Sequence, residues 1–202
     1  MDDRLDLRRS DLLRGVLVGG GALLAGGGVV AGIGRLAGAA PSAEQDTRIL
    51  NLLLELEHVQ LALYEEALDN GALNGDLREF ARVAREHERV HVDALRRLLG
   101  ANATDPPPLD FGDATSDAGA FADAAATIED LSVDAFNGQV TNLTPRARAQ
   151  SARVASVDAR HAAWVRTVDG RVPAAEAVDP GRPAAEVARA LQDTGFVTGG
   201  TP

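Results

Sequence analysis

The chain has 202 residues, a length that suits one domain or one domain with a tail. Its 20 basic residues, all of them Arg, are outnumbered by 30 acidic residues, and this excess disfavours a general nucleic-acid binder. The lack of Cys excludes disulfide bonds, thiolate metal sites and thiol nucleophiles. With only 3% aromatic residues, the core must consist of Ala, Leu and Val, which favours close-packed helices over a sheet.

The N-terminal part of the chain differs in composition from the rest. Adjacent Arg8 and Arg9 precede an uncharged, Gly-rich stretch at 15–34, and small residues follow it. This order resembles a twin-arginine export signal. An uncleaved membrane anchor is the alternative, because about 20 apolar residues can span a bilayer. We therefore expect residues 1–40 to form a signal or anchor helix that directs export and provides the only contact with a membrane.

From residue 43 the apolar residues recur with the 3.6-residue period of an α-helix. Gly and Pro mark the boundaries, since Asn70-Gly71 is a stop signal and Thr144-Pro145 is an N-cap followed by a favourable first residue. The pattern predicts four helices of similar length, at about 43–69, between Gly75 and Gly100, at about 117–140 and at about 145–168.

The segment 101–116 contains three successive prolines and predicts a long loop. An antiparallel bundle needs such a crossover when its second and third helices run parallel. We therefore predict an all-α fold, an antiparallel four-helix bundle at 41–170 with one long crossover. The Pro- and Gly-rich tail at 171–202 is expected to pack on the bundle and to include a short helix around 184–191.

Each predicted helix carries ionisable residues on its apolar face. Burying unpaired carboxylates is costly, so a purely structural core would not normally contain them. In the second and fourth helices a carboxylate and a His are three residues apart and project to the same side. All six residues lie near helix midpoints, which share one layer in an antiparallel bundle. The set consists of Glu57, Glu88, His91, Glu129, Asp158 and His161.

These residues have the chemistry of a metal site. Two divalent cations would offset the four carboxylates, and oxygen and nitrogen ligands without thiolate suit Fe, Mn or Zn. The two halves of the chain also repeat, because Glu57 precedes Tyr64 by seven residues and Glu129 precedes Phe136 by seven. A pseudo-twofold pair of half-sites explains this repeat.

Several segments together resemble the ferritin-like di-metal carboxylate proteins, whose ligands come from four helices and include two carboxylate-x-x-His motifs. In amino-acid sequence they are most similar to the exported ferritin-like group that includes desiccation-related proteins, over about residues 43–168. The segments are Leu56-Glu57-His58-Val59, Leu63-Tyr64, Glu88-Arg89-Val90-His91, Leu109-Asp110-Phe111-Gly112, Glu129 and Asp158-Ala159-Arg160-His161.

The resemblance implies a cofactor of two iron ions, with manganese as the alternative. Tyr64 matches a Tyr near the metal site of ferritins, and a redox role and a place in the core are equally open for it. Asp158 is one methylene shorter than the usual Glu, and Phe136 stands where half-site symmetry places a second Tyr. The implied ligands are Glu57 and Glu129 from single helices, Glu88 and Asp158 as bridging carboxylates, and His91 and His161 as terminal ligands.

Four further residues lie close to the predicted ligands in sequence. His58 and His87 are adjacent to the apolar face, which places them behind the ligands or at the surface. Glu65 and Glu86 are expected to be solvated, although either could orient a ligand His.

The function implied is that of an exported di-iron or di-manganese oxidoreductase that uses dioxygen or peroxide, so its partners are metal ions and a small oxidant. The alternative is a non-catalytic protein that protects against desiccation or envelope stress, with a structural metal or none. An iron-storage cage is a third hypothesis. The sequence leaves open the identity of the metal, the substrate, cleavage of the signal and whether the chain forms a homo-oligomer.

Overall fold

The computed structural model describes residues 40–198. The predicted signal or anchor segment therefore lies outside the described residues, apart from its last residue. Among residues 40–198, none of the helices combines the length and the apolar character that crossing a membrane requires.

Five α-helices account for most of this region, joined by turns of 3₁₀-helix. The predicted all-α bundle with a long crossover is confirmed, and the four long helices begin and end within two residues of their predicted limits. The helices are α1 Ala43–Asn70, α2 Gly75–Leu99, α3 Ala118–Gln139, α4 Pro145–Val168 and α5 Ala184–Asp193.

Local sequence signals set the helix ends. The side chain of Ser42 accepts a hydrogen bond from the backbone N–H of Gln45 at the start of α1, as a capping Ser does. Gly71 ends α1 with a φ of 72°, a left-handed conformation that Gly adopts readily. Thr144 precedes α4 as predicted, but its hydroxyl donates to Asp46 near the start of α1 and makes no hydrogen bond to its own helix.

The long helices form a four-sided bundle. α1 packs along α2 and α3 packs along α4, while α1–α3 and α2–α4 contacts complete the two remaining sides. The short helix α5 packs on α3 and α1. The C-terminal tail thus lies on the α1–α3 side, opposite the groove between α2 and α4.

The tail is attached to α3 at a position that requires a small residue. The guanidinium of Arg182 donates to the Asp134 carboxylate at 2.6 Å, and the Arg182 backbone N–H donates to the Asp134 carbonyl. A Cβ atom on Gly138 would lie 1.9 Å from the Arg182 carbonyl oxygen, so the two backbones can approach only because residue 138 is Gly.

The core consists mainly of Leu and Ala, with one group of aromatic rings. Tyr64, Phe80 and Phe121 are fully buried, and their ring centroids lie 5.7–6.4 Å apart in edge-to-face arrangements. Trp164 packs edge-on against Phe80 at 5.4 Å. These rings form one wall of the layer in which the polar residues meet.

Candidate metal centre

The four long helices bring all six predicted ligands into the middle of the bundle. The four carboxylate residues are completely buried, and His91 and His161 are 7% and 2% exposed. Each side chain lies on the inward stripe of its helix because the helical period aligns it with Leu and Ala residues of the core. The side chains come from α1 (Glu57), α2 (Glu88 and His91), α3 (Glu129) and α4 (Asp158 and His161).

The first of two ligand groups surrounds the ring of His91. Its Nδ1 atom lies 2.7 Å from Glu88 Oε2, 3.2 Å from Glu57 Oε2 and 3.5 Å from Asp158 Oδ1. One ligand atom from each of these four residues lies within 4.8 Å of the others. A single cation could therefore contact all four.

The second group surrounds His161 in the same way. Its Nδ1 atom lies 2.9 Å from Glu88 Oε1 and 3.2 Å from Glu129 Oε1, and Asp158 completes the group. Glu88 and Asp158 belong to both groups, whereas Glu57 with His91 and Glu129 with His161 belong to one each. The arrangement is that of two adjacent half-sites that share two carboxylates.

Glu129 is oriented by two neutral donors from α1. The Gln60 amide donates to Glu129 Oε2 at 2.8 Å, and the Tyr64 hydroxyl donates to Glu129 Oε1. Ser132 has a similar role on the other side, because its hydroxyl donates to Asp158 Oδ2 at 2.7 Å. Neither Gln60 nor Ser132 is predicted from the sequence as a site residue.

The repeat contained a signal for both residues. Gln60 follows Glu57 by three positions, and Ser132 follows Glu129 by three, so each lies one helical turn beyond a predicted ligand. The halves differ at the next turn, since Tyr64 contacts Glu129 while Phe136 lies at the edge of a small cavity that Glu57 also lines. Glu57 consequently lacks the phenol that Glu129 has.

A histidine orients the ring of His161. His87 Nδ1 lies 2.9 Å from His161 Nε2, and the two rings are nearly parallel, with an interplanar angle of 11°. Glu65 and Glu86, the carboxylates considered for this role, instead bind arginines: Arg89 donates to Glu65 at 2.7 Å and Arg85 to Glu86 at 2.6 Å. His87 therefore occupies the place behind the ligand.

His58 is buried but belongs to neither ligand group. Burial and the nearby charge of Arg96 lower its pKa, whereas Asp105 opposes them. It therefore lies toward the crossover loop, away from the centre.

The two inner histidines hold protons strongly. Burial lowers the pKa of His91, but hydrogen bonds to Glu57 and Glu88 outweigh it and raise the pKa to about 11. Burial also opposes protonation of His161, yet the charge of Glu129 and contacts with Glu88 raise its pKa to about 10. In the metal-free protein, where only protons balance the charge of the carboxylates, both rings are therefore cationic at neutral pH.

The carboxylates respond to the same balance of charge. Burial raises the pKa of Glu57 well above its usual value, and the charge of Glu88 adds to the effect. Burial and the charges of Glu57 and Glu88 also raise the pKa of Asp158 well above its usual value. Burial also opposes ionisation of Glu88, but the contacts from His161 and His91 prevail and lower its pKa to about 2. The cluster thus requires positive charge at its centre.

Unpartnered atoms show where that charge fits. Glu57 Oε1, Glu88 Oε1, Asp158 Oδ1 and His161 Nδ1 are buried without a well-aligned hydrogen bond. Buried polar atoms are rarely left unpaired, and a bound cation would provide a partner for these four. Oxygen and imidazole donors suit divalent Fe and Mn, and two such ions balance four carboxylates. The residues therefore fit a di-metal site.

Comparison with known protein families agrees with this geometry. A family model described as a ferritin-like domain matches residues 45–171, which is more than half of the chain. The chain belongs to the ferritin-like family. The predicted family is thereby confirmed, while membership in the exported, desiccation-related group stays a prediction. A search of curated proteins finds no match.

The match extends from near the start of α1 to just beyond the end of α4. It therefore includes both ligand groups, and the ferritin-like fold together with the buried cluster permits metal binding in this chain.

Proposed function

We propose that this ferritin-like protein binds two iron ions and supports ferroxidase or related oxidoreductase chemistry with dioxygen or peroxide. The observation that carries the proposal is the pair of buried ligand groups that share Glu88 and Asp158. Sharing two carboxylates keeps two cations close together. Manganese, which accepts the same donors, is the alternative metal.

The roles of the ligands follow from the two groups. Glu57 and His91 would hold one ion, Glu129 and His161 the other, and the shared carboxylates both. Bound iron would supply the electrons with which the oxidant is reduced. Because the ligands are buried, the protein excludes bulk water and strengthens each carboxylate's interaction with a cation.

The surrounding side chains restrict the movement of the ligands. Gln60 and Tyr64 hold both oxygens of Glu129, and Ser132 holds one oxygen of Asp158. His87 fixes the ring of His161 so that Nδ1 points toward the carboxylates. Orienting contacts of this kind affect metal affinity and reactivity in many metal sites.

We assign Tyr64 as the candidate catalytic residue. Burial and the charge of Glu129 raise the pKa of its phenol well above the usual value, so the hydroxyl keeps its proton at neutral pH. The proton is held against Glu129 Oε1, beside the second ligand group. A phenol in this position holds that carboxylate in place and would be a redox-active side chain beside a bound metal.

Anaerobic reconstitution of the full chain with Fe(II) tests the proposal. We expect about two iron ions per chain by elemental analysis and an absorbance change in the near ultraviolet on exposure to air. A Glu88→Ala, His91→Ala double variant should lose most of the iron. Glu79→Ala is the matched control, because this exposed α2 residue is hydrogen-bonded to Arg82 and belongs to neither ligand group, so the iron content should be unchanged.

Two results would contradict the proposal. One is wild-type protein with far less than one metal per chain, and the other is full iron retention in the double variant. A melting temperature indifferent to metal, with no oxidase or peroxidase activity, would favour the non-catalytic protective protein.

We also propose that residues 1–40 direct export, on the basis of adjacent Arg8 and Arg9 before a Gly-rich apolar stretch. Fractionation of cells that express the full chain and an Arg8→Lys, Arg9→Lys variant tests this. The wild type should be extracytoplasmic and the variant cytoplasmic. Equal distributions would contradict twin-arginine export.

A further inference from the structure

A cleft opens between α2 and α4 on the side of the bundle opposite α5. Its volume is about 460 Å³, within the range of small-molecule sites. The lining consists of His87, Val90, His91, Val157, Arg160, His161 and Trp164. The two ligand histidines thus form part of its floor, and the cleft reaches the edge of the metal centre.

The upper walls of the cleft are apolar. Val90 is 64% exposed, one of three large hydrophobic side chains so exposed in the described part of the chain. Val157 and Trp164 are half-buried and face it across the cleft. An exposed Val beside a concave apolar wall favours contact with an apolar ligand, because burying these surfaces removes them from water.

One cation stands at this apolar wall without a partner of opposite charge. Arg160 donates to Ser156 Oγ at 3.1 Å, and no carboxylate lies within ion-pair distance of it among residues 40–198. Arg160 is exposed and is one of the residues that line the cleft. On α2, by contrast, Arg82, Arg85 and Arg89 are paired with Glu.

We propose that the α2–α4 cleft binds a small monocarboxylic acid with an apolar body. The carboxylate pairs with the Arg160 guanidinium, and the body lies against Val90, Val157 and Trp164. One guanidinium without a carboxylate partner matches one carboxylate. The other polar side chains of the lining already have partners, since His91 and His161 contact Glu88 and His87 contacts His161. The inference rests on the proposed function in one respect, namely that the acid is held beside bound metal ions. Binding of the acid itself requires only the cleft.

The chain supplies its own reporter for this site. Trp164 is the only Trp in the sequence, so tryptophan fluorescence reports on a residue that lines the cleft. We would titrate the full-length, metal-free protein with octanoate, and with octan-1-ol and octylammonium as neutral and cationic analogues. The expected result is a saturable change with octanoate at an affinity at least about tenfold above either analogue, since a charge-assisted hydrogen bond is at stake.

Variants distinguish the effect of the Arg160 charge from a general effect on the fold. Arg160→Gln should weaken octanoate about tenfold or more, while Arg160→Lys should keep most of the affinity because the charge remains. Val90→Asp should abolish binding by placing a carboxylate at the mouth. Arg153→Gln is the matched control, since Arg153 is an exposed residue seven positions earlier on α4 and lines a different cleft. It should bind octanoate like the wild type.

Several outcomes would overturn the inference. They are no saturable change, equal affinities for octanoate and octan-1-ol, equal losses in Arg160→Gln and Arg153→Gln, or a signal that follows self-association instead of ligand concentration. Repeating the titration on metal-loaded protein separates the two proposals. Octanoate binding by a protein that takes up no metal would refute the di-metal centre alone, whereas metal uptake without octanoate binding would refute the cleft alone.

Discussion

Because two carboxylates belong to both ligand groups, single substitutions should differ in how much stabilisation by metal they remove. Glu88 belongs to both ligand groups, whereas His91 belongs to one. Removing Glu88 should therefore weaken both metal positions. Removing His91 should weaken one and leave the group formed by Glu88, Glu129, Asp158 and His161 intact.

The magnitude follows from ligand linkage. An ion that binds only the folded protein adds about 2.7 kcal/mol when its free concentration is about 100-fold above its Kd. Two ions add about 5 kcal/mol, and in a chain of this size each kcal/mol raises Tm by about 2–4 °C. We expect metal to raise the Tm of the wild type by about 10–20 °C, that of His91→Ala by about half as much, and that of Glu88→Ala by almost nothing.

Scanning calorimetry with and without Mn(II), or with Fe(II) under anaerobic conditions, measures these shifts, and elemental analysis gives the metal content. Each variant is compared with its own metal-free form, so the packing lost in the substitution cancels. Glu86→Ala is the control, because Glu86 lies two positions before Glu88 but is exposed and hydrogen-bonded to Arg85 and Arg89. A loss in His91→Ala as complete as in Glu88→Ala would refute the reasoning of two separable half-sites.

Three further predictions concern the outer contacts, the tail and the protons of the centre. Tyr64→Phe should keep the core packing but cost about 1–3 kcal/mol of unfolding free energy in urea melts, because a buried donor to Glu129 is lost; an unchanged free energy would contradict that bond. Gly138→Ala should destabilise by about 1–3 kcal/mol and expose the tail to protease, since its Cβ meets the Arg182 backbone, whereas Gly119→Ala in the same helix should not; equal proteolysis of the two variants would contradict this contact. Metal binding should release protons in lightly buffered solution and tighten between about pH 6 and pH 8, because the metal-free cluster holds protons on histidines whose pKa values are raised to about 11 and about 10; an affinity that falls with rising pH would contradict this competition.

The elements of the bundle could be predicted because their signals are local. Asn70-Gly71 ends α1, and Pro145 begins α4, in both the sequence pattern and the structure. A Gly with positive φ and a Pro in the first turn act through their own backbone, so neighbouring residues suffice to recognise them. The Thr144 hydroxyl shows the limit, because its partner Asp46 lies 98 positions away.

The meeting of the six ionisable residues was also accessible from the sequence. Their place at the helix midpoints and on the apolar faces predicts one shared layer in an antiparallel bundle. The contacts behind them were less accessible. Gln60 reaches Glu129 across 69 positions and His87 reaches His161 across 74, and such pairs depend on the relative rotation of two helices.

The sequence by itself determined the helical period, the boundaries and a donor set of carboxylate and imidazole without thiolate, because these are properties of residues and of their spacing. Only the tertiary structure decided that Gln60 contacts Glu129 and His87 contacts His161, that the tail packs on the α1–α3 side and that the α2–α4 cleft stays open beside Arg160. The physical reason is that periodicity shows which face of a helix is buried but not which neighbour it meets. That choice depends on packing between residues far apart in the chain, such as Gly138 with Arg182.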